Sequence, residues 1–574
     1  MAYDLLIRNG SVVDGSGAPA RRADVGVSGG VIAEIGAISA AARRVIDASD
    51  LVVAPGFIDH HTHYDAQICW DPTTSCSPWH GVTSVVMGNC GVGLAPCRPA
   101  ERDVAAWDLV NVEAIPFEVL AAGVTWDWES FPDYLRAAAR RRSGPNLGFL
   151  APLTPFRHYV LGEESTQRAA TADETRRIAE LLRGALEAGA LGFSTTFGPQ
   201  HIGFQGRPLA CRLASREELA AYCHVLRDLG RGVIEVNLSD QPSVVTELDY
   251  ERLELLLGES QRPLTWLSLL HRDDEPGLCR ETLARTAPLI ARGARPQISA
   301  RPLVAQIDLR NPFSFANLPE WKTAFNRPPE FQMQLYRDPG FRDAFRKRLD
   351  GEYVFRQESY FRRLEVASVG SAALEPCVGK SVAAIARERG VDTVDAFLDL
   401  AIEDGLATDF AIDAFNSDPE GVAELIRNPH TLIGLSDGGA HVDMLCDAGY
   451  CSYLLGTWVR ERKALSLERA IARITSEPAE LFGLADRGRI AVGMAADFAI
   501  FDPATVGSDK RPVLRRDLPA GGRRMVMPAR GLHFTIVNGE VLFEDQQHSG
   551  ALPGVVLRNG PRSAARQPGR GERA

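Results

Sequence analysis

LVVAPGFIDHHTHYD, residues 51–65, runs four apolar residues (Leu51, Val52, Val53, Ala54) straight into a cluster of imidazoles and carboxylates. A short apolar run of this kind reads as a buried strand. Side chains alternate faces along a strand, which puts His61 and His63 on one side, roughly 7 Å apart, and His60 and Thr62 on the other. Two imidazoles on one face of a strand end can share a metal ion, and imidazole suits zinc and similar ions. The chain has 12 histidines in 574 residues, and an ordinary polar strand end does not need three of them within four positions.

Upstream of this stretch, residues 3–13, 23–28, 31–36 and 43–48 read as short strands separated by Gly and Asp turns. Residues 497–501 and 532–543 have the same texture, with Asn538-Gly539 as a hairpin turn. These flanks predict a small β-sandwich domain built from both termini, 1–54 with 487–560. The middle, 55–486, alternates apolar runs with amphipathic stretches. Strands are expected at 82–87, 147–151, 190–195, 233–238, 264–270, 296–300 and 431–436, and helices at 172–188, 215–229 and 466–474, with Asp173 and Ser215 as caps. With 51–58 this makes about eight strands, an α/β pattern that predicts a (β/α)8 TIM-like barrel. Residues 308–370, rich in Phe, Pro and Arg, break the rhythm and read as an insertion over the barrel mouth or at a subunit contact. Residues 561–574 are Gly-, Pro- and Arg-rich without periodicity and are expected to be disordered.

Composition narrows the function classes. A chain that is 45% hydrophobic and 24% charged has the makings of a large core. A net charge of −11 argues against a nucleic-acid partner, which needs concentrated basic surface. No apolar run approaches the roughly 20 residues of a membrane span, and the N-terminus lacks the pattern of a signal peptide. Ten scattered cysteines without a CxxC pair fit a reducing cytoplasm. Homo-oligomerisation is left open.

In a barrel of this kind the site lies at the C-terminal ends of the strands. Two further residues stand just beyond apolar runs. Cys90, in the turn Gly88-Asn89-Cys90-Gly91 after 82–87, is either an inert buried thiol or a thiolate ligand. Asp437, after 431–436, is either a turn residue or a carboxylate that orients a water and shuttles its proton.

These stretches resemble a known family. GFIDHHTHYD, VTSVVMGNCGVGLAP, GALGFSTT and IGLSDGGAH look like the amidohydrolase superfamily, and the Asn-Cys-Gly turn points to its N-acyl-D-amino-acid deacylases, the D-aminoacylases. The likeness runs from residue 3 to about 558. It implies that His61 and His63 are HxH metal ligands and that Cys90 replaces the carboxylated lysine of other branches. It makes Asp437 both a ligand and the general acid/base. One or two Zn2+ ions, or another divalent metal, are implied. All five lysines lie at or beyond Lys322, which leaves a lysine-bridged pair without a source near the earlier strand ends.

One departure bears on the metal. The family places a histidine after strand five and another after strand six. Here strand five carries Glu235 and Asn237, and the strand-six histidine, His271, is displaced. His271 and His201 are reserve ligands. Arg157, Arg301 and His441 are candidate contacts to a carboxylated substrate, with arginine favoured for its bidentate fork. Asp65 is a candidate support for a ligand histidine. The expected reaction is hydrolysis of an amide bond in an N-acyl D-amino acid or related small N-acyl compound. The alternatives are a different amide or cyclic amide, and a barrel that binds without catalysis.

Overall fold

The computed structural model describes residues 2–238, 241–315, 318–325, 327–349 and 357–559. The expected tail, 561–574, lies outside the described residues. The chain forms two compact units: residues 1–301, 418–442 and 446–574 make the first, and 302–417 with 443–445 the second.

In the first unit both chain ends meet in one nine-stranded sheet. Along its path lie Gln547–His548, Glu540–Glu544, Leu532–Val537, Phe498–Phe501, Val52–Pro55, Tyr3–Val12, Arg21–Ser28 and Val31–Gly36. Tyr3–Val12 is long enough to divide its pairing. Its first half pairs in parallel with Ala42–Asp47 and its end with Val52–Pro55. The result is one continuous sheet rather than two separate ones. Its own core includes Leu5, Ile7, Val25, Val53, Phe498 and Ile536.

The chain leaves this sheet at Pro55 and re-enters regular structure at Phe57–Asp59. Gly56 makes the crossing possible, because a Cβ there would lie 2.1 Å from Thr83 Oγ1. Phe57–Asp59, Val82–Met87 and Asn146–Phe149 pair in parallel in that order. A second parallel set runs Ala151–Pro152, Gly192–Thr196, Val233–Asn237, Leu264–Leu267, Ala294–Ile298 and Leu432–Ile433. Leu150, between the sets, donates its N–H to Met87 O. At the far end Thr62 bridges to Gly438, so the histidine segment lies beside the segment that follows the last strand. Helices separate the strands. Ala172–Ala188 and Arg216–Leu229 begin with capping boxes at Thr171 and Ser215. Thr171, not Asp173, takes the first cap. Its hydroxyl accepts from Glu174 N, while Asp173 lies inside the first turn.

The stretch that departs from this alternation is longer than 308–370. In the second unit Asp409–Phe415 pairs antiparallel with both Leu303–Ile307 and Glu365–Ser368. Its core is aromatic, with Phe315 stacked on Trp321 at 4.3 Å and Phe345, Phe361, Phe397 and Phe410 around them. Helices such as Thr393–Glu403 share the period of the other helices, so the sequence pattern does not mark this boundary. No helix among the described residues is long and apolar enough to cross a membrane.

Buried polar bonds tie the terminal sheet to the parallel strands. Asp497 accepts from Asn146 Nδ2 (3.0 Å), from Asn538 N (2.7 Å) and from the buried Arg487 guanidinium. Removing one partner of a buried pair strands the other charge. Asp497→Ala is therefore expected to destabilise the protein by about 3–5 kcal/mol, read from urea unfolding midpoints. A loss below about 1 kcal/mol would show that Arg487 finds another partner.

Candidate metal centre

His61 and His63 sit just past Phe57–Asp59, where the strand register still controls their direction. Thr62 turns the other way, and its N–H and hydroxyl both donate to Val86 O, at 3.0 and 2.8 Å. His63 N donates to Gly438 O at 2.7 Å. Thus held, the two rings tilt together, and their Nε2 atoms are 3.3 Å apart. The strand spacing alone leaves them much farther apart.

Cys90 has φ 55°, a left-handed conformation uncommon outside glycine. Four hydrogen bonds hold its turn. Asn89 Nδ2 donates to Thr62 O and Val86 O at 3.1 and 3.0 Å, Cys90 N donates to Glu235 Oε2 at 2.7 Å, and Gly91 N donates to Ser194 Oγ at 3.0 Å. Cys90 Sγ thereby comes 3.6 Å from His61 Nε2. Asp437, also left-handed at φ 48°, follows Ser436, whose hydroxyl lies 2.6 Å from Asp59 Oδ2 and 3.1 Å from His61 O. Asp437 Oδ1 stands 3.3 Å from His61 Nε2 and 3.7 Å from His63 Nε2.

The donor atoms of His61, His63 and Cys90 all lie within 4.8 Å of one another, and all three residues are buried. The spacing fits a cation. Two nitrogens on a tetrahedral zinc stand about 3.3 Å apart, and a nitrogen and a sulfur about 3.5 Å, from ordinary zinc bond lengths. The electrostatics agree. Burial holds the His61 imidazole down, to about 3, so it is neutral with its lone pair available. Burial also depresses His63, but Glu113 and Asp437 outweigh it and push the ring up to about 9. A cation would replace that proton. Burial, with Glu235, Glu113 and Asp437 nearby, pushes the Cys90 thiol well up. Asp437 is opposed by burial, yet the nearby His63, His61 and His441 rings hold it well below the usual carboxylate range.

Three participants were missed in the sequence. Glu113 Oε1, at the end of helix Arg102–Glu113, is 3.2 Å from His63 Nδ1. Asp65, expected in such a role, accepts from Gly88 N at 3.2 Å and acts on His63 through its charge. Glu235 is fully buried, and its Oε1 has no hydrogen-bond partner. Burial pushes its carboxyl up to about 8. Its signal was legible: a charged residue inside the apolar run 233–238, on the same strand face as Asn237. Gln297, on Ala294–Ile298, is fully buried beside the His61 ring, with neither amide atom hydrogen-bonded. Nothing in the local pattern marked Glu113 or Gln297.

The other candidates divide. His201 and His441 are at the site's edge, both depressed by burial, to about 3 and 4, and each acts electrostatically with His63 and Asp437. His201 stands outside the three-donor cluster, where its Nε2 takes a hydrogen bond from Asn237 Nδ2 at 3.0 Å. His271 is elsewhere. Strand Leu264–Leu267 ends sooner than 264–270, so His271 falls in the following loop between Asp418 and Asp273. It lines a cavity of about 440 Å³ that includes none of His61, His63, Cys90 or Asp437. Both arginines are buried and bonded within the fold. Arg157 is buried in an ion pair with Glu218 and donates to Ser165 O and Arg168 O. Arg301 has all three guanidinium nitrogens engaged, by Asp447, Ser508, Met527 and the carbonyls of Asp509 and Lys510.

Residues 44–543 match the model of the amidohydrolase family. The chain is 30% identical to N-acyl-D-glutamate deacylase of Alcaligenes xylosoxydans xylosoxydans, over 97% of this chain and 96% of that one. It is 28% identical to the D-aminoacylase of the same organism, over 97% of each. The crystal structure of N-acyl-D-glutamate deacylase from Bordetella bronchiseptica, complexed with zinc and a phosphonate inhibitor, superimposes with a TM-score of 0.65 at 26% identity, covering 97% of this chain and all of that one. This chain belongs to the amidohydrolase family, in its D-aminoacylase branch.

Proposed function

We propose that this protein is a zinc-dependent hydrolase that cleaves the amide bond of N-acyl amino acids, those of D configuration first. The reading rests on one observation: the donors of His61, His63 and Cys90 gather within 4.8 Å, with the Asp437 carboxylate against both imidazoles. In this reading the two parallel sets close as a (β/α)8 barrel spanning 55–486, and 1–54 with 487–560 form the mounting β domain. The relatives support the chemistry. The Bordetella enzyme carries zinc with a mimic of a tetrahedral intermediate, and a similar D-aminoacylase has a binuclear metal centre.

His61, His63 and Cys90 would hold the ion, with the Asp437 carboxylate against both imidazoles. The cation, when bound, supplies Lewis acidity: it polarises the amide carbonyl and lowers the pKa of water. Asp437 takes the proton of the attacking water and returns it to the leaving nitrogen. Its depressed pKa keeps it ionised before the reaction. Glu113, with Oε1 3.2 Å from His63 Nδ1, draws the proton to that nitrogen by its charge and leaves Nε2 for a metal. His441, within electrostatic reach of Asp437 and His63, is the candidate contact to the substrate. Glu235 gives the Cys90 side of the site a carboxylate, which accepts from Cys90 N.

Asp437→Asn is expected to keep its zinc while turnover of N-acyl-D-amino acids falls by about 10²–10⁴-fold. Metal analysis beside steady-state kinetics checks both, and normal turnover would remove Asp437 from its role. Glu113→Gln is expected to weaken zinc binding about 10–100-fold in chelator competition. Unchanged affinity would mean that His63 is oriented without it. If zinc-replete protein hydrolyses neither N-acyl-D- nor N-acyl-L-amino acids, the substrate class is wrong.

A further inference from the structure

Cys76 and Cys446, 370 residues apart, bring their Sγ atoms to 3.5 Å. Cys76 is buried, and Cys446 is half-buried. They pack with Ala448, Val526, Met527 and Trp79. Met527 N donates to Cys76 Sγ at 3.4 Å. The Cys446 thiol hydrogen-bonds the same sulfur, and against burial these donors hold the Cys76 thiol below its ordinary value. The pair stands apart from the metal donors but between the segments that carry them. Next to Cys76, Ser77 Oγ is 2.7 Å from the hydroxyl of Tyr64, the neighbour of His63. Tyr64 in turn packs so closely on the loop after Asp437 that a Cβ at Gly438 would lie 2.5 Å from its hydroxyl. Cys446 lies on the continuation of that loop, beside Asp447, which anchors Arg301.

We infer that Cys76 and Cys446 form a reversible disulfide that locks the loop after Asp437 to the segment after His63. The oxidant is a low-molecular-weight disulfide. The sulfur of Cys446 attacks it, the reagent's S–S bond breaks, and one reagent thiolate leaves with the Cys446 proton. Cys76 Sγ then attacks Cys446 Sγ, and the second reagent thiolate leaves with the Cys76 proton. Two protein thiols are oxidised and one reagent disulfide is reduced to two thiols. The sulfurs must close to about 2.05 Å, and the irregular loop on the Cys446 side can follow. In a reducing compartment such a bond is a sensor rather than a staple.

The full chain, equilibrated with graded ratios of oxidised to reduced glutathione, tests this. Non-reducing peptide mapping is expected to show a peptide joining Cys76 to Cys446, lost on reduction with dithiothreitol and absent from Cys446→Ser. Amide exchange in 71–80 and 437–448 is expected to slow in the oxidised protein and not in the oxidised Cys446→Ser variant. The inference is overturned if both thiols stay alkylatable at every ratio, if Cys446 remains as an unresolved mixed disulfide, or if the linked protein exchanges in those segments like the reduced one. None of these readouts depends on amide hydrolysis, so the two proposals fail separately.

Discussion

Negative charge gathered in a buried place is the constraint on which the site depends. Asp437, Glu113, Glu235 and the Cys90 thiol converge at the ends of the parallel strands, with His61 and His63 among them. Burial raises Glu113 to about 7 and Glu235 to about 8, so without a cation these groups are driven toward their neutral forms. A divalent ion reverses that preference and turns a costly cluster into a stable one. The same demand explains the backbone. Cys90, Asp437 and His441 all take positive φ, a strain of about 1–3 kcal/mol each that persists only where the surroundings impose it.

Those surroundings are specific. Asn89 joins the Cys90 turn to the histidine segment, Ser436 joins the Asp437 turn to Asp59 and the His61 carbonyl, and Glu113 O accepts from His441 N. Further out, Asp497 fastens the terminal sheet to strand Asn146–Phe149. The sheet built from both chain ends therefore acts as a rigid mount for the crossing at Gly56, and through it for the strand that leads to His61. Preorganisation of this kind is what lets donor atoms meet within tenths of an ångström.

The departures from the family's usual pattern are compensated locally. Asn237 does not serve as a metal donor but hydrogen-bonds His201, while Glu235, two residues earlier on the same face, contacts the Cys90 turn. The arginines that looked suited to a carboxylate instead fill buried structural roles. A guanidinium with no exposure has to be satisfied within the fold, and Arg157 and Arg301 are.

Local pattern was enough to read the alternation of strands and helices, the sharing of one β sheet by both chain ends, and the position of His61, His63, Cys90 and Asp437 just beyond strands. Each of these rests on side chains a few residues apart, where the strand period of two and turn chemistry govern direction. The rest depended on contacts between distant segments. Glu113 reaches His63 from a helix end 50 positions away, and Cys446 meets Cys76 across most of the chain. His271 leaves the site because its strand stops early, and the second unit's bounds follow from the pairing of Leu303 with Phe415. No periodicity encodes which segments meet. That is decided when burial forces each polar group to find a partner, and only the folded chain shows which partner it found.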